Sequence, residues 1–145
     1  MVDGFQLQRF HAAQAGVYAT ALAELRTGRK RSHWVWFVFP QLRGLGRSAN
    51  AHFYALAGLE EACAYLADPV LGHRLREATK AMLNHVDQPA TTVLGEVDAM
   101  KFHSCLTLFA RAAPDEPVFS QAIERFFDGE PDAATLALLN ATPAS

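Results

Sequence analysis

The chain has 145 residues, of which half are apolar and 19% charged. That length can bury about 70% of the surface exposed by the unfolded form, so disorder and a staple-dependent miniprotein are both excluded, and 1–145 reads as one domain. The formal charge of −2 conceals seven Lys/Arg against two Asp/Glu in residues 1–50 and six against thirteen in 51–145. This balance argues against a large nucleic-acid surface but leaves room for a local anion site, and the two halves can either attract one another or present opposed faces for self-association.

Residues 5–26 carry one apolar stripe, Phe10, Val17, Tyr18, Ala21, Leu22 and Leu25, which predicts a first helix with Asp3 near its N-cap and Gly28 past its end. His11 and Gln14 share a side of it and read as a solvated or rim-facing pair. The cations Arg26, Arg29, Lys30 and Arg31 then run into an aromatic block from His33 to Phe39. That block fits a strand by composition. A short helix capped by Ser32 is preferred, because nothing else in the chain offers a strand to pair with. Pro40 ends it.

Gln41 to Arg47 form a turn softened by Gly44 and Gly46, and Ser48 caps a third helix over about 49–57 that Gly58 breaks. A fourth helix spans 59–67. Asp68-Pro69 starts a fifth that carries Leu71, Leu75, Ala78, Met82 and Val86 inward. A helical turn is expected at 92–94. Residues 96–112 form the central helix, because Val97, Met100, Phe102, Cys105, Leu106, Leu108 and Phe109 wrap most of its circumference. A helix over 118–127 and a last one capped by Asp132 through Leu139 follow, with a frayed tail from Ala141 to Ser145. The expectation is an all-α globule of seven or eight short helices. Cys63 and Cys105 both read as reduced, buried thiols.

No apolar run reaches the ~18–20 residues of a spanning helix, and the stretch Met1–Gln6 has neither a basic nor an apolar signal region. No membrane partner and a cytoplasmic location are expected. The six histidines show no zinc spacing, and no metal site or cofactor is expected.

Two constellations carry candidate chemistry. Gly44-Leu-Gly46-Arg-Ser-Ala49 matches the dinucleotide spacing G-x-G-x-x-G/A, but no βαβ alternation surrounds it. The weaker possibility is an anion seat at the turn, with Arg43 and Arg47 beside a helix start at Ser48. The alternative is a structural turn whose arginines pair with the acidic second half. Arg29, Lys30 and Arg31 beside His33, Trp34 and Trp36 combine cations for phosphate with rings for stacking, and Gln41 joins this candidate binding set. Against it stands a core role for at least one tryptophan. Asp98, Lys101, His103, Ser104 and Thr107 form a polar stripe on the most apolar helix. They read either as a buried hydrogen-bond network or as a catalytic group, with Asp98 or His103 as general base and Lys101 holding an anion.

The stretch Gly28-Arg-Lys-Arg-Ser-His-Trp-Val-Trp-Phe-Val-Phe-Pro-Gln-Leu-Arg-Gly-Leu-Gly-Arg-Ser48, with Glu61–Leu66, Leu71–Leu75 and Asp98–Phe109, closely resembles the bacterial family called domain of unknown function 1810. The likeness covers nearly the whole chain. Val35 stands where many relatives carry methionine, and His103 where many carry serine or a similar small residue, which weakens a catalytic role for His103. The resemblance implies an all-α fold and an intracellular protein, and it implies no activity.

Three functions remain open on the sequence. The first is a binding module for a phosphate- or carboxylate-bearing small molecule, with Arg29, Lys30, Arg31, Arg43 and Arg47 holding the anion and Trp34 and Trp36 stacking. The second is an enzyme acting on a nucleotide- or ADP-ribose-like substrate through Asp98 and Lys101. The third is an interaction module without a small ligand.

Overall fold

The computed structural model describes residues 6–141. Asp3 and the tail beyond Ala141 lie outside the described residues. The described chain is all-α, with ten helices: α1 (Gln8–Gln14), α2 (Tyr18–Thr27), α3 (Val35–Val38), α4 (Ala49–Phe53), α5 (Leu59–Ala67), α6 (Leu71–Leu83), α7 (Ala90–Leu94), α8 (Glu96–Ala112), α9 (Pro117–Phe127) and α10 (Ala133–Ala141). The excess over seven or eight has two sources. The expected 5–26 helix breaks at Gly16, whose φ of 79° is left-handed, and the expected turn at 92–94 is a full short helix.

Helix α8 is the hub. It packs against α3, α5, α7, α9 and α10, and Phe102, Cys105, Leu106, Leu108 and Phe109 on it are all fully buried. Its first turns behave otherwise. Val97 and Met100, expected inward, are 65% and 70% exposed, because they lie three apart on a face that no helix among the described residues covers, while Ala99 and Phe102 on another face are buried. Val86 is also exposed rather than inward, since α6 stops at Leu83. Cys105 is buried as expected, whereas Cys63 lies exposed on α5; both are free.

The aromatic block resolves as one turn of helix, not a strand. The sole isolated bridge among the described residues pairs Leu42 with Leu56 in parallel, closing the excursion that holds α4. Ser48 caps α4 as expected, its hydroxyl accepting from the Ala51 amide at 3.1 Å. Asp132 caps α10, with Oδ2 accepting from the Thr135 amide and hydroxyl. The Asp68 carboxylate accepts from the Val70 and Leu71 amides ahead of α6. Gln14 departs from its expected rim position. It is buried, and its amide donates to the Phe37 carbonyl (2.7 Å) and the Tyr65 hydroxyl (3.1 Å) while accepting from Arg74. Such a group is tolerated inside only because its donors and acceptor are matched. No helix among the described residues is long and apolar enough to cross a membrane.

Candidate functional site

The basic segment is set in place by the end of α2. The amide of Gly28 donates to the Leu25 carbonyl and that of Arg29 to the Glu24 carbonyl, a Schellman closure with Gly28 in the left-handed region at φ 87°. The next amide, that of Lys30, donates across to the Val93 carbonyl of α7 at 2.7 Å. The Glu24 side chain then gathers the following residues. It accepts from the amides of Arg31 and Ser32, the Ser32 hydroxyl and the Trp34 indole N–H. Partial burial pushes this carboxyl up. The four hydrogen bonds to its ionised form outweigh that, and its pKa falls from 4.5 to about 2. Ser32, expected to cap α3, is thereby spent on Glu24, and Trp34 occupies the N-cap position.

Where α3 meets the start of α8, an open hollow of about 420 Å³ is lined by Lys30, His33, Val35, Trp36, Leu94, Gly95, Val97, Asp98 and Lys101, with Glu96. Asp98 holds both lysines. Its Oδ2 lies 2.7 Å from Lys30 Nζ and its Oδ1 3.6 Å from Lys101 Nζ. Lys30 is the more enclosed, its side chain 7% exposed and its ammonium 5.2 Å from the Trp34 ring centre. Lys101 lies nearer the solvent, 4.8 Å from the Trp36 ring centre, and His33 stacks on the same indole. The buried Trp36 indole N–H finds no acceptor among the described residues. No side chain caps α8, so its first-turn amides add positive potential at this rim. Glu96 is exposed there, and solvent screens it.

The structure therefore divides the sequence-predicted residues. It brings Lys30, His33 and Trp36 together with Asp98 and Lys101. It does not bring in Trp34, which is fully buried with its N–H on Glu24 and offers no face for stacking. Arg29, Arg31 and Arg47 are exposed and form no ion pair among the described residues. Arg43 lines a different hollow. Gln41 contributes its carbonyl to the Leu56 amide. Ser48 caps a helix of only five residues, so it opens no anion seat.

The polar stripe of α8 splits too. His103 stacks on Phe127, with ring centres 3.9 Å apart, and its Nε2 meets the Glu130 carbonyl. Ser104 donates to the Asp132 carboxylate, and the Thr107 hydroxyl accepts from the Asp132 amide. These three dock α10 and its approach, and they stand apart from the hollow. Among the described residues no group of three or more His, Cys, Asp or Glu is placed to hold a metal ion.

Sequence reasoning missed Glu24, Val93 and the Gly95 end of α8. Glu24 had a legible signal, as a carboxylate in the last turn of a helix, where the dipole disfavours it. Val93 acts through its carbonyl, which no side-chain pattern reveals.

The family model described as "Protein of unknown function (DUF1810)" matches residues 4–139, and the chain belongs to that family. It is 46% identical to the conserved hypothetical protein Rv1873 from Mycobacterium tuberculosis. The two structures superpose with a TM-score of 0.94 over 97% of this chain and 100% of that one. No curated protein matches the chain.

Proposed function

We propose that the protein is a binding module for a small molecule bearing a phosphate or carboxylate group, held at the hollow between α3 and α8. The observation that carries this reading is the pairing of Lys30 and Lys101 on one carboxylate inside an open cavity. Asp98 offsets one of the two positive charges, and the ammonium of Lys101 keeps donors to spare. The role of Lys30 is to supply field from the enclosed side. The role of Asp98 is to orient both amines, and Trp36 is a flat wall for whatever the anion is attached to.

A second reading, an enzyme acting on a nucleotide- or ADP-ribose-like substrate, is favoured by Asp98 and Lys101 lining the same hollow as Lys30, His33 and Trp36. Against it, the Asp98 carboxylate is engaged in holding two amines, with Lys30 Nζ at 2.7 Å and Lys101 Nζ at 3.6 Å. A location in the cytoplasm fits either reading.

A thermal-shift screen with nucleotides, ADP-ribose and small phosphates and carboxylates tests the proposal. A ligand present at 100 times its Kd should stabilise the fold by about 2.7 kcal/mol. Lys101→Met, which keeps the packing on Trp36, should weaken binding by roughly tenfold or more by removing a charged hydrogen bond. Silence across the panel, or an equal shift in Lys101→Met, overturns the reading and favours an interaction module. Analysis of any hit for turnover separates binder from enzyme.

A further inference from the structure

A second hollow, of about 410 Å³, lies on the excursion between Leu42 and Leu56 and shares no lining residue with the first. Arg43, His52 and Phe53 line it over a floor that includes Arg9 and Glu61. The floor is closed chemistry. Arg9 pairs with Glu61 at 3.0 Å, with side chains 11% and 3% exposed, and also donates to the carbonyls of Phe53 and Ala55. The other Glu61 oxygen accepts from the Ala57 amide at 2.7 Å. A buried carboxylate satisfied in this way repels an incoming anion little, because its charge is already matched.

The walls differ from the floor. Arg43 is exposed, lines the hollow and forms no ion pair among the described residues, although the chain has an excess of acidic groups. Its backbone is anchored, since its amide donates to the Leu56 carbonyl at 2.8 Å. Phe53 is 58% exposed, the largest side chain among the exposed apolar residues described. It is held rather than loose. Its carbonyl accepts from Arg9 Nε at 2.8 Å, and its ring packs edge-on against Tyr54 with centres 4.8 Å apart. His52 stands beside it at the end of a helix whose N-terminus Ser48 caps. A guanidinium carried on an anchored backbone and a held, solvent-facing ring, both lining one cavity, match a ligand in which an anion and a planar ring are joined. The guanidinium pairs with the anion in two-pronged fashion, and the ring stacks.

We propose that this hollow is a second binding site, independent of the first, for a small planar ring carrying a phosphate or carboxylate. Arg43 recognises the anion and Phe53 the ring.

The test is an amide-resolved NMR titration of the full chain with AMP, adenosine and inorganic phosphate as separate arms. AMP is expected to shift the amides of Arg43, His52, Phe53 and Ala57, with adenosine and phosphate each binding there at least about tenfold more weakly. Arg43→Gln and Phe53→Ala, both exposed positions that leave the core intact, should each weaken this response by roughly tenfold while leaving any response at Gly95 to Lys101 unchanged. The proposal is overturned if the 43–57 amides do not respond, if phosphate alone matches AMP, or if neither substitution alters their response. Failure of the first hollow would show separately, at Gly95 to Lys101.

Discussion

Glu24 lies in the last turn of α2, the helix end where backbone carbonyls point outward and a carboxylate is least welcome. It is retained there by four donors from three residues, Arg31, Ser32 and Trp34, which lie seven to ten positions further along the chain. Its folded pKa, about 2, lies below the ordinary 4.5. Its contribution is therefore complete above about pH 4.5 and drains away as pH falls toward about 2. Asp68 and Glu116 act in the same direction. For Asp68 burial raises the value, and bonds from Leu71, His11 and Val70 bring it below the usual carboxylate range; for Glu116 the Arg76 guanidinium leads. Glu24→Gln is expected to cost about 1.5–3 kcal/mol near neutral pH and to flatten the fall in stability on acidification, as measured by urea unfolding near pH 7 and near pH 3. An unchanged acid slope would mean that Glu24 does not organise the basic segment. The tryptophans follow from the same local geometry. Trp34 stands at the N-cap with its indole in the core, bonded to Glu24, whereas Trp36 lies within α3 and lines the hollow. The residue types gave both the same candidacy, and only the direction of each side chain separates them.

Among the elements, α5 and α6 approach so closely that Gly72 has no room for a side chain. A Cβ there would lie 2.2 Å from the Leu66 carbonyl oxygen. Because the obstacle is backbone, the two helices themselves must move. Gly72→Ala should destabilise the protein by about 1–3 kcal/mol in chemical denaturation, despite alanine's better helix propensity. A neutral or stabilising result would contradict this packing. Some elements are legible in the sequence alone. Helix α8 and the caps at Ser48 and Asp132 depend on residues within a turn of one another, and local sequence states them. The break at Gly16 was hidden, because the stripe of Phe10, Val17 and Tyr18 continues in phase across it. The exposure of Val97 and Met100 is equally invisible in the sequence, since it depends on which faces of α8 the neighbouring helices cover and not on α8 itself. The hollow was half legible. Lys30 and Trp36 stood out by composition, whereas Asp98 and Lys101 meet them only because the Lys30 amide is tied to α7.

Across the whole molecule, the uneven charge of the two halves is used internally. Arg9–Glu61, Arg26–Glu77 and Lys30–Asp98 each join a cation of the first fifty residues to an acid of the remainder, and His11–Asp68 joins them when the imidazole is protonated. Arg29, Arg31, Arg43 and Arg47 are left facing solvent. The two thiols give a direct reading of how the molecule opens. Cys63 is exposed, whereas Cys105 lies at 0% exposure on the central helix, where burial pushes its thiol pKa well up. A thiol reagent should modify Cys63 at once, and Cys105 only at a rate set by global unfolding, rising with denaturant in step with loss of helix. Early labelling of Cys105 in the absence of denaturant would show that α8 is not the last element to open.

The bridge between Leu42 and Leu56 has a practical corollary. The Arg43 amide bonds the Leu56 carbonyl and the Leu56 amide bonds the Gln41 carbonyl, so the stretch from 43 to 55 leaves and rejoins the body at a single neck. Beyond the neck, Tyr54 packs on Phe10 and Phe37 and Ala55 is buried, so these belong to the scaffold, whereas the exposed side chains of Arg43, His52 and Phe53 can be exchanged with little penalty to it. Exchanging the residues at 43, 52 and 53 between relatives, with 41, 42 and 54 to 56 kept, should change the walls of the second hollow over its Arg9–Glu61 floor and leave the lysine-lined hollow untouched.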